Sequence, residues 1–271
     1  MEAVKIIVLI IFLALSFFPF YLMVTISTKD TMSYMKSPLL LPHLKLHMII
    51  DNYKRALATI LPFFKNSVII VVLAEIGILF TSSMSAYVIS RYRFPGSRLF
   101  FLSIIGIMVF PSALTLVPAY LVTVRLGIKE SLTAQWLPYI AFCQPLSIFL
   151  FKNYFDGIDK DYFDSARVEG AGPFAIYRYL ILPIGLPMVI TVVIIQMVKL
   201  WNEFIWPRVI VTENRDAWPV PVALTNMAHD FWVDYGLMMA TYVWSAIPIL
   251  IAFIFLSKYF IKGLMEGGIK G

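Results

Sequence analysis

One carboxylate, Glu75, stands near the middle of an apolar run over residues 66–90 that carries no other charge. Insertion scales put a charged group at that depth at a cost of about 2.5–3.5 kcal/mol unless it is paired or wetted. Its chemistry allows two roles. A carboxylate accepts hydrogen bonds from the hydroxyls of a passing solute, and it equally ties one helix to another. Gln196, Trp201 and Asn202 form a second group, with Trp206 nearby. Amides beside aromatic faces suit a polyhydroxylated ligand, and the same amides make ordinary interhelical hydrogen bonds. Lys199 and Glu203, four residues apart, are spaced to pair with each other. His43 and His47 share that spacing, but Pro42 and the lack of a nearby carboxylate make them, like His229, ordinary loop histidines. No metal site is expected. Cys143 is the only cysteine, which rules out an intrachain disulfide and a cysteine-based metal cluster. No Gly-x-x-x-x-Gly-Lys-[Ser/Thr] loop is present to cradle nucleotide phosphates. No nucleophile–base pair is visible, so an enzyme is not expected.

Residues 159–171 read as a short polar helix. Asp161 is placed as its N-cap with Asp164 three residues on, close to capping-box spacing. Gly170-Ala171-Gly172-Pro173 ends it. Ala166 and Gly170, four apart, are expected to share one face, where small side chains let another surface approach. Asp164 and Glu169 put negative charge beside that face. The pattern suits a knob seated in a partner's groove, or a solvated loop between helices.

The elements that must position these groups are membrane spans. Of the residues, 60% are hydrophobic and 14% charged, against about 25% charged in soluble domains. Mean hydropathy is +0.83. The apolar residues fall in blocks at 6–26, 66–90, 99–124, 131–151, 179–198 and 237–257, and Glu75 is the only charge in any of them. About 20 apolar residues in a helix cross the ~30 Å hydrocarbon layer. An all-α fold of six transmembrane helices in a single domain over 1–271 follows, with the fifth and sixth spans drawn to 206 and 260. The first apolar run exceeds a signal-peptide core and is read as a retained helix. The net charge of +6 punctuates the spans and carries no nucleic-acid-binding motif. Arg91, Arg93 and Arg98 in one tight loop, and Lys258, Lys262 and Lys270 in the tail, put both termini and the 152–178 loop in the cytoplasm. Segments 27–65 and 207–236 are then external. The first is read as holding a short surface helix around Asp51–Leu57. The second carries Trp218, Trp232 and Tyr235 near lipid headgroups. Prolines at 111, 118, 138, 145 and 248 suggest bent spans, whether as packing irregularities or around a translocation path.

The polar loop resembles the EAA motif of ABC-importer permeases. Asp164-Ser165-Ala166-Arg167-Val168-Glu169-Gly170-Ala171, then Leu180-Ile181-Leu182-Pro183 and Pro187, follows that pattern. Asp164 stands for Glu, Ser165 for Ala, Glu169 for Asp, and Asp159 where Pro is usual. Asn52-Tyr53, Asn66-Ser67, Ala86-Tyr87 with Arg91 and Phe94-Pro95-Gly96, Trp201-Asn202-Glu203-Phe204, Asp234-Tyr235-Gly236-Leu237-Met238 and the tail Gly263–Gly271 extend the resemblance to carbohydrate-uptake permeases, above all the six-helix partner of the maltose-type pair. The resemblance implies a type I importer permease in a prokaryotic inner membrane, translocating a sugar by alternating access. It implies a sister permease, two ATPase subunits that hold ATP and magnesium, and an external sugar-binding protein. This chain would bind no cofactor. Asp164, Ser165, Ala166, Glu169, Gly170 and Ala171 would dock on the ATPase, and Lys270 and Gly271 would reach it from the tail. Glu75, Gln196, Trp201 and Asn202 would line the substrate path. An ion-coupled carrier is the alternative, with Glu75 as its only intramembrane acid.

Overall fold

The computed structural model describes residues 2–37, 39, 46–92, 94–229 and 234–268, with residues 256–268 described by backbone alone. Among them the ordered elements are helices: α1 Glu2–Ser27, α2 Thr31–Lys36, α3 Leu46–Arg91, α4 Ser97–Ile107, α5 Ser112–Arg125, α6 Thr133–Asp156, α7 Lys160–Val168, α8 Pro173–Ile176, a π-helical turn Tyr177–Ile181, α9 Leu182–Ile184, α10 Leu186–Trp201, α11 Ile205–Ile210, α12 Val220–His229 and α13 Tyr235–Gly268. Four helices are long and apolar enough to span a bilayer, and six spans result if α4–α5 and α8–α10 each count as one bent span. The bends are 99° and 74°. Backbone groups in lipid must be satisfied within the protein, so a break needs a chemical cause. Pro111, at the N-cap of α5, supplies the first. Gly185 between Pro183 and Pro187 supplies the second. A Cβ on Gly185 would meet the Ile181 carbonyl at 2.8 Å and the Phe155 ring at 2.9 Å. The third span is therefore broken, and the fifth runs from Pro173 to Trp201 instead of 179–206. No separate surface helix exists around Asp51–Leu57, because those residues are the opening turns of the 46-residue α3.

The chain divides into two compact units. The first contains Met1–Asn66 and Trp218–Pro248. Every described side chain of α1 from Val4 to Tyr21 is exposed, and the helix is apolar and long enough to cross a bilayer. Its C-terminal carbonyls are orphans, and Asn52 answers them: Nδ2 donates to the Ser27 and Lys29 carbonyls at 3.1 and 2.9 Å. The Tyr53 hydroxyl meets Ser27 Oγ at 2.8 Å, and the Tyr53 carbonyl accepts from Trp244 Nε1 at 3.1 Å. Arg55 pairs with Asp234 at 3.3 Å. Asp234 Oδ1 caps α13 by accepting from the Leu237 amide at 3.1 Å, and Tyr34 and Tyr235 pack with ring centroids 4.5 Å apart. Gly236 lies so close that a Cβ there would stand 2.0 Å from the Lys29 carbonyl. Below this node Ile60, Val220 and Leu224 form an apolar cluster with Phe63, Phe64, Tyr242 and Trp244. Trp218, expected at the headgroups, is buried, and Trp232 lies outside the described residues.

The second unit holds Ser67–Ala217 and Ile249–Gly271. α3 crosses α6 where Gly77 meets Ile140, with a Cβ position only 2.2 Å from Ile140 Cδ1, and Gln144 Nε2 donates to Thr81 Oγ1 at 2.7 Å. The α5–α6 loop is clipped to the 211–214 turn by Glu130, which adopts φ 61°, a left-handed backbone that costs a non-glycine residue about 1–2 kcal/mol. Its carboxylate accepts from the backbone N–H of Thr212, Glu213 and Asn214 at 3.0–3.1 Å and from Thr212 Oγ1 at 2.8 Å. Burial pushes this carboxyl up, but the donors outweigh it and hold it at about 2, below its ordinary 4.5.

Two outcomes follow. Gly236→Ala forces a methyl into a backbone carbonyl and should destabilise by at least the ~1–3 kcal/mol of an overpacked core. A melting temperature in detergent equal to the wild type's would contradict this. For Glu130 the folded value lies below the ordinary one, so its stabilisation is complete above about pH 4.5 and fades as pH falls toward 2. Glu130→Gln should therefore melt earlier at pH 7, by on the order of 1 kcal/mol. Melts across pH should show the gap to wild type narrowing below pH 4.5.

Candidate functional site

α7 is nine residues long, too short to persist in water on its own. Three devices hold it. Asp159, not Asp161, is the N-cap, its Oδ1 accepting from the Asp161 amide at 3.2 Å; an extended φ/ψ at Asp159 lets its side chain turn back over the first turn. At the other end the Ala171 amide donates to the Ala166 carbonyl at 2.9 Å and the Gly170 amide to the Arg167 carbonyl at 3.0 Å. That is a Schellman closure, and it needs the φ of +83° that Gly170 supplies. The third device is tertiary. Phe163 is the buried residue of α7, set into a cluster with Tyr87, Phe151, Phe155, Ile176, Tyr177 and Ile181.

The expected docking residues divide accordingly. Asp164, Ser165, Glu169 and Gly170 are exposed. Ala166 and Ala171 are half-buried and pack against the Phe163 cluster. Gly170 does not share a helical face with Ala166, because it lies past the helix end in left-handed conformation, with nothing within 4 Å of its Cβ position. Its glycine is required by the turn, and the space beside it is open. Asp164 pairs with Arg167 at 3.4 Å in an exposed ion pair, worth little in water. Lys270 and Gly271 lie outside the described residues.

Above Phe163 sits Arg91, the last residue of α3. Its guanidinium carbon stands 3.9 Å over the Phe163 ring. Its Nη2 donates to the Phe155 and Ile158 carbonyls at the end of α6, the latter at 2.8 Å. Close by, Asp156 accepts from Ser90 Oγ at 2.6 Å and pairs with Lys152 at 2.5 Å. Tyr87 donates to the Pro173 carbonyl at 3.2 Å, and the Tyr177 and Ser83 hydroxyls meet at 2.7 Å. α3, α6, α7 and the π-helical turn are thus fastened at one place. Sequence reading missed Phe163. Tyr162 and Phe163 are adjacent aromatics in a polar helix, and only the fold shows which one points inward: Tyr162 is exposed.

The four path residues lie elsewhere in the same unit. Gln196 is fully buried, its Nε2 donating to Ser147 Oγ at 2.9 Å across the α6–α10 contact. Glu75 is buried on α3, with Cys143 within electrostatic reach of it, and neither of its oxygens has a hydrogen-bond donor among the described residues. The Gln196 Oε1 and Tyr139 hydroxyl are likewise unmatched there. Cys143, one turn from both Tyr139 and Ser147 on α6, brings Glu75 and Gln196 into one polar neighbourhood. Trp201 is buried. Asn202 is exposed and donates to its own helix, at the Val198 carbonyl, 2.7 Å away. Lys199 and Glu203 form no ion pair; Glu203 Oε1 instead caps α11, accepting from the Ile205 and Trp206 amides at 3.0 and 3.4 Å.

With this geometry in place, residues 3–226 match the family model described as the binding-protein-dependent transport system inner membrane component. The chain belongs to that family. It is a multi-pass membrane protein and a permease subunit of an ABC importer, which sets aside the ion-coupled alternative. The arabinooligosaccharides transport system permease protein AraQ of Bacillus subtilis is 32% identical over 209 residues, 77% of this chain and 73% of that protein. The trehalose/maltose transport system permease protein MalG of Thermococcus litoralis is 29% identical over 259 residues, 94% and 91% of the two chains. The diacetylchitobiose uptake system permease protein NgcG of Streptomyces coelicolor is 29% identical over 245 residues, 89% and 80%. A chain from the crystal structure of a bacterial ABC transporter that imports the acidic polysaccharide alginate superposes with a TM-score of 0.85, covering 96% of each chain at 22% identity, and so shares the fold. The stretch that resembles the EAA motif falls on α7, and the fold here fastens it by Phe163 and Arg91.

Because neither Glu75 oxygen has a donor among the described residues, removing the charge should not weaken the fold. Glu75→Gln is expected to melt at or above the wild-type temperature in detergent. A loss of more than about 1 kcal/mol would show that the carboxylate holds a partner.

Proposed function

We propose that this chain carries a sugar or oligosaccharide across the cytoplasmic membrane of a prokaryote, working beside a second, homologous permease. Two ATPase subunits holding ATP and magnesium drive it, and an external binding protein delivers the sugar. The relatives named for arabinooligosaccharides, trehalose/maltose and diacetylchitobiose support a sugar cargo. Both termini and α7 lie in the cytoplasm in this reading, which the Arg91, Arg93, Arg98 and Lys258, Lys262, Lys270 clusters support. Asp164, Ser165, Glu169 and Gly170 meet the ATPase groove, Ala166 and Ala171 seat the helix, and Lys270 and Gly271 reach the ATPases from the tail. Glu75 and Gln196 offer acceptors to sugar hydroxyls when the spans rearrange, with Trp201 and Asn202 at the far end of the same helix. One observation carries the coupling role: α7 presents an exposed outer face while its buried Phe163, with Ala166 beside it, packs against the spans.

The test is uptake of labelled arabino- and malto-oligosaccharides by the reconstituted importer, complete with its sister permease, ATPases and binding protein. Gly170→Asn keeps the left-handed turn with a small side chain and should transport. Gly170→Arg fills the open space beside the turn. It should insert normally yet lose roughly ten- to hundred-fold in uptake, the span of a coupling free energy of about 1–3 kcal/mol. Wild-type uptake by Gly170→Arg would overturn the coupling role.

A further inference from the structure

We infer that Arg91 is the positioning residue that ties the docking helix to the membrane spans, so that the yield of transported solute per ATP depends on it. The inference rests on the coupling role proposed for α7 and adds where the mechanical joint lies. Three observations converge. First, Phe163 is the buried side chain of α7 while its neighbours on the helix are exposed or half-buried, so displacement of α7 reaches the spans largely through this ring. Second, the ring is covered by the Arg91 guanidinium, 3.9 Å away, a stacked cation–aromatic contact. Third, the same guanidinium donates to the Phe155 carbonyl in the last turn of α6 and to the Ile158 carbonyl just past it, where the helix dipole favours a cation.

Arg91 therefore belongs to α3 by covalent bonds, to α6 by hydrogen bonds and to α7 by its contact with Phe163. A planar fork can donate in its own plane and stack through its face at the same time; an ammonium at the same site lacks that geometry. Asp156, held by Ser90 and Lys152, adds a carboxylate within electrostatic reach of the guanidinium.

The experiment uses the full reconstituted importer with Arg91→Lys, Arg91→Met and Phe163→Leu. Three quantities are read: crosslinking of a Ser165→Cys variant to the ATPase, ATP hydrolysis, and sugar taken up per ATP hydrolysed. If Arg91 is the joint, crosslinking persists and sugar per ATP falls roughly ten-fold in both Arg91 variants, as loss of charge-assisted contacts predicts. Arg91→Met combined with Phe163→Leu should then be no worse than the poorer single variant. An unchanged sugar-to-ATP ratio overturns the inference. So does a parallel fall of crosslinking, hydrolysis and uptake, which marks a purely structural arginine. If Ser165→Cys fails to crosslink in an otherwise wild-type chain, the docking role of α7 itself fails, and this inference falls with it.

Discussion

The burial of one aromatic ring under one guanidinium is the contact on which the α7 end of the second unit depends. Phe163 removes its ring from water in a cluster built by α3, α6, α7 and the π-helical turn, a burial worth about 1.5–3 kcal/mol for a side chain of this size. A helix of α7's length cannot hold itself together in water. The N-cap at Asp159 and the glycine closure at Gly170 set where it starts and stops, but neither chooses its orientation. The ring does. With Phe163 inward, Asp164, Ser165 and Glu169 have to face out, and the polar surface of α7 is displayed in one direction.

The membrane imposes the second constraint. Lipid offers no hydrogen bonds, so each interruption of a span has to leave its backbone satisfied. Proline at the start of α5 removes a donor where the helix breaks, and the Gly185 break lets α10 begin in direct contact with the Phe155 ring. The same logic governs the α5–α6 loop of the second unit, where a carboxylate gathers three successive backbone amides of the 212–214 turn. In the first unit an asparagine side chain answers the loose carbonyls at the end of α1. Both are polar side chains doing for irregular backbone what helices do for themselves.

The second unit also holds a region of a different kind. Glu75, Gln196 and Tyr139 bring buried polar atoms to the place where α3, α6 and α10 meet, and several of those atoms have no hydrogen-bond partner among the described residues. Buried polar groups are costly in that state, and they stand out in spans otherwise stripped of charge.

Much of this was legible in the amino-acid order. The bilayer demands runs of about 20 apolar residues, and that demand wrote the spans into the sequence. Turn chemistry wrote Gly170 and the end of α7, and the motif residues around Asn52, Arg91 and Trp201 pointed to a binding-protein-dependent permease. What composition and spacing could not set was anything decided by contact between distant segments. Asp159 and Asp161 are equally good caps on paper, and backbone geometry chose the first. Lys199 and Glu203 have the spacing of a pair, yet the nearby start of α11 takes the carboxylate. Asn52-Tyr53 and Asp234-Tyr235-Gly236 read as separate signatures until the fold brings them to the end of α1, where Gly236 has room for no side chain at all. Tyr162 and Phe163 are adjacent aromatics with the same hydrophobic appetite, and only the packed core, which has space for one ring beneath Arg91, determines which of them holds α7 in place.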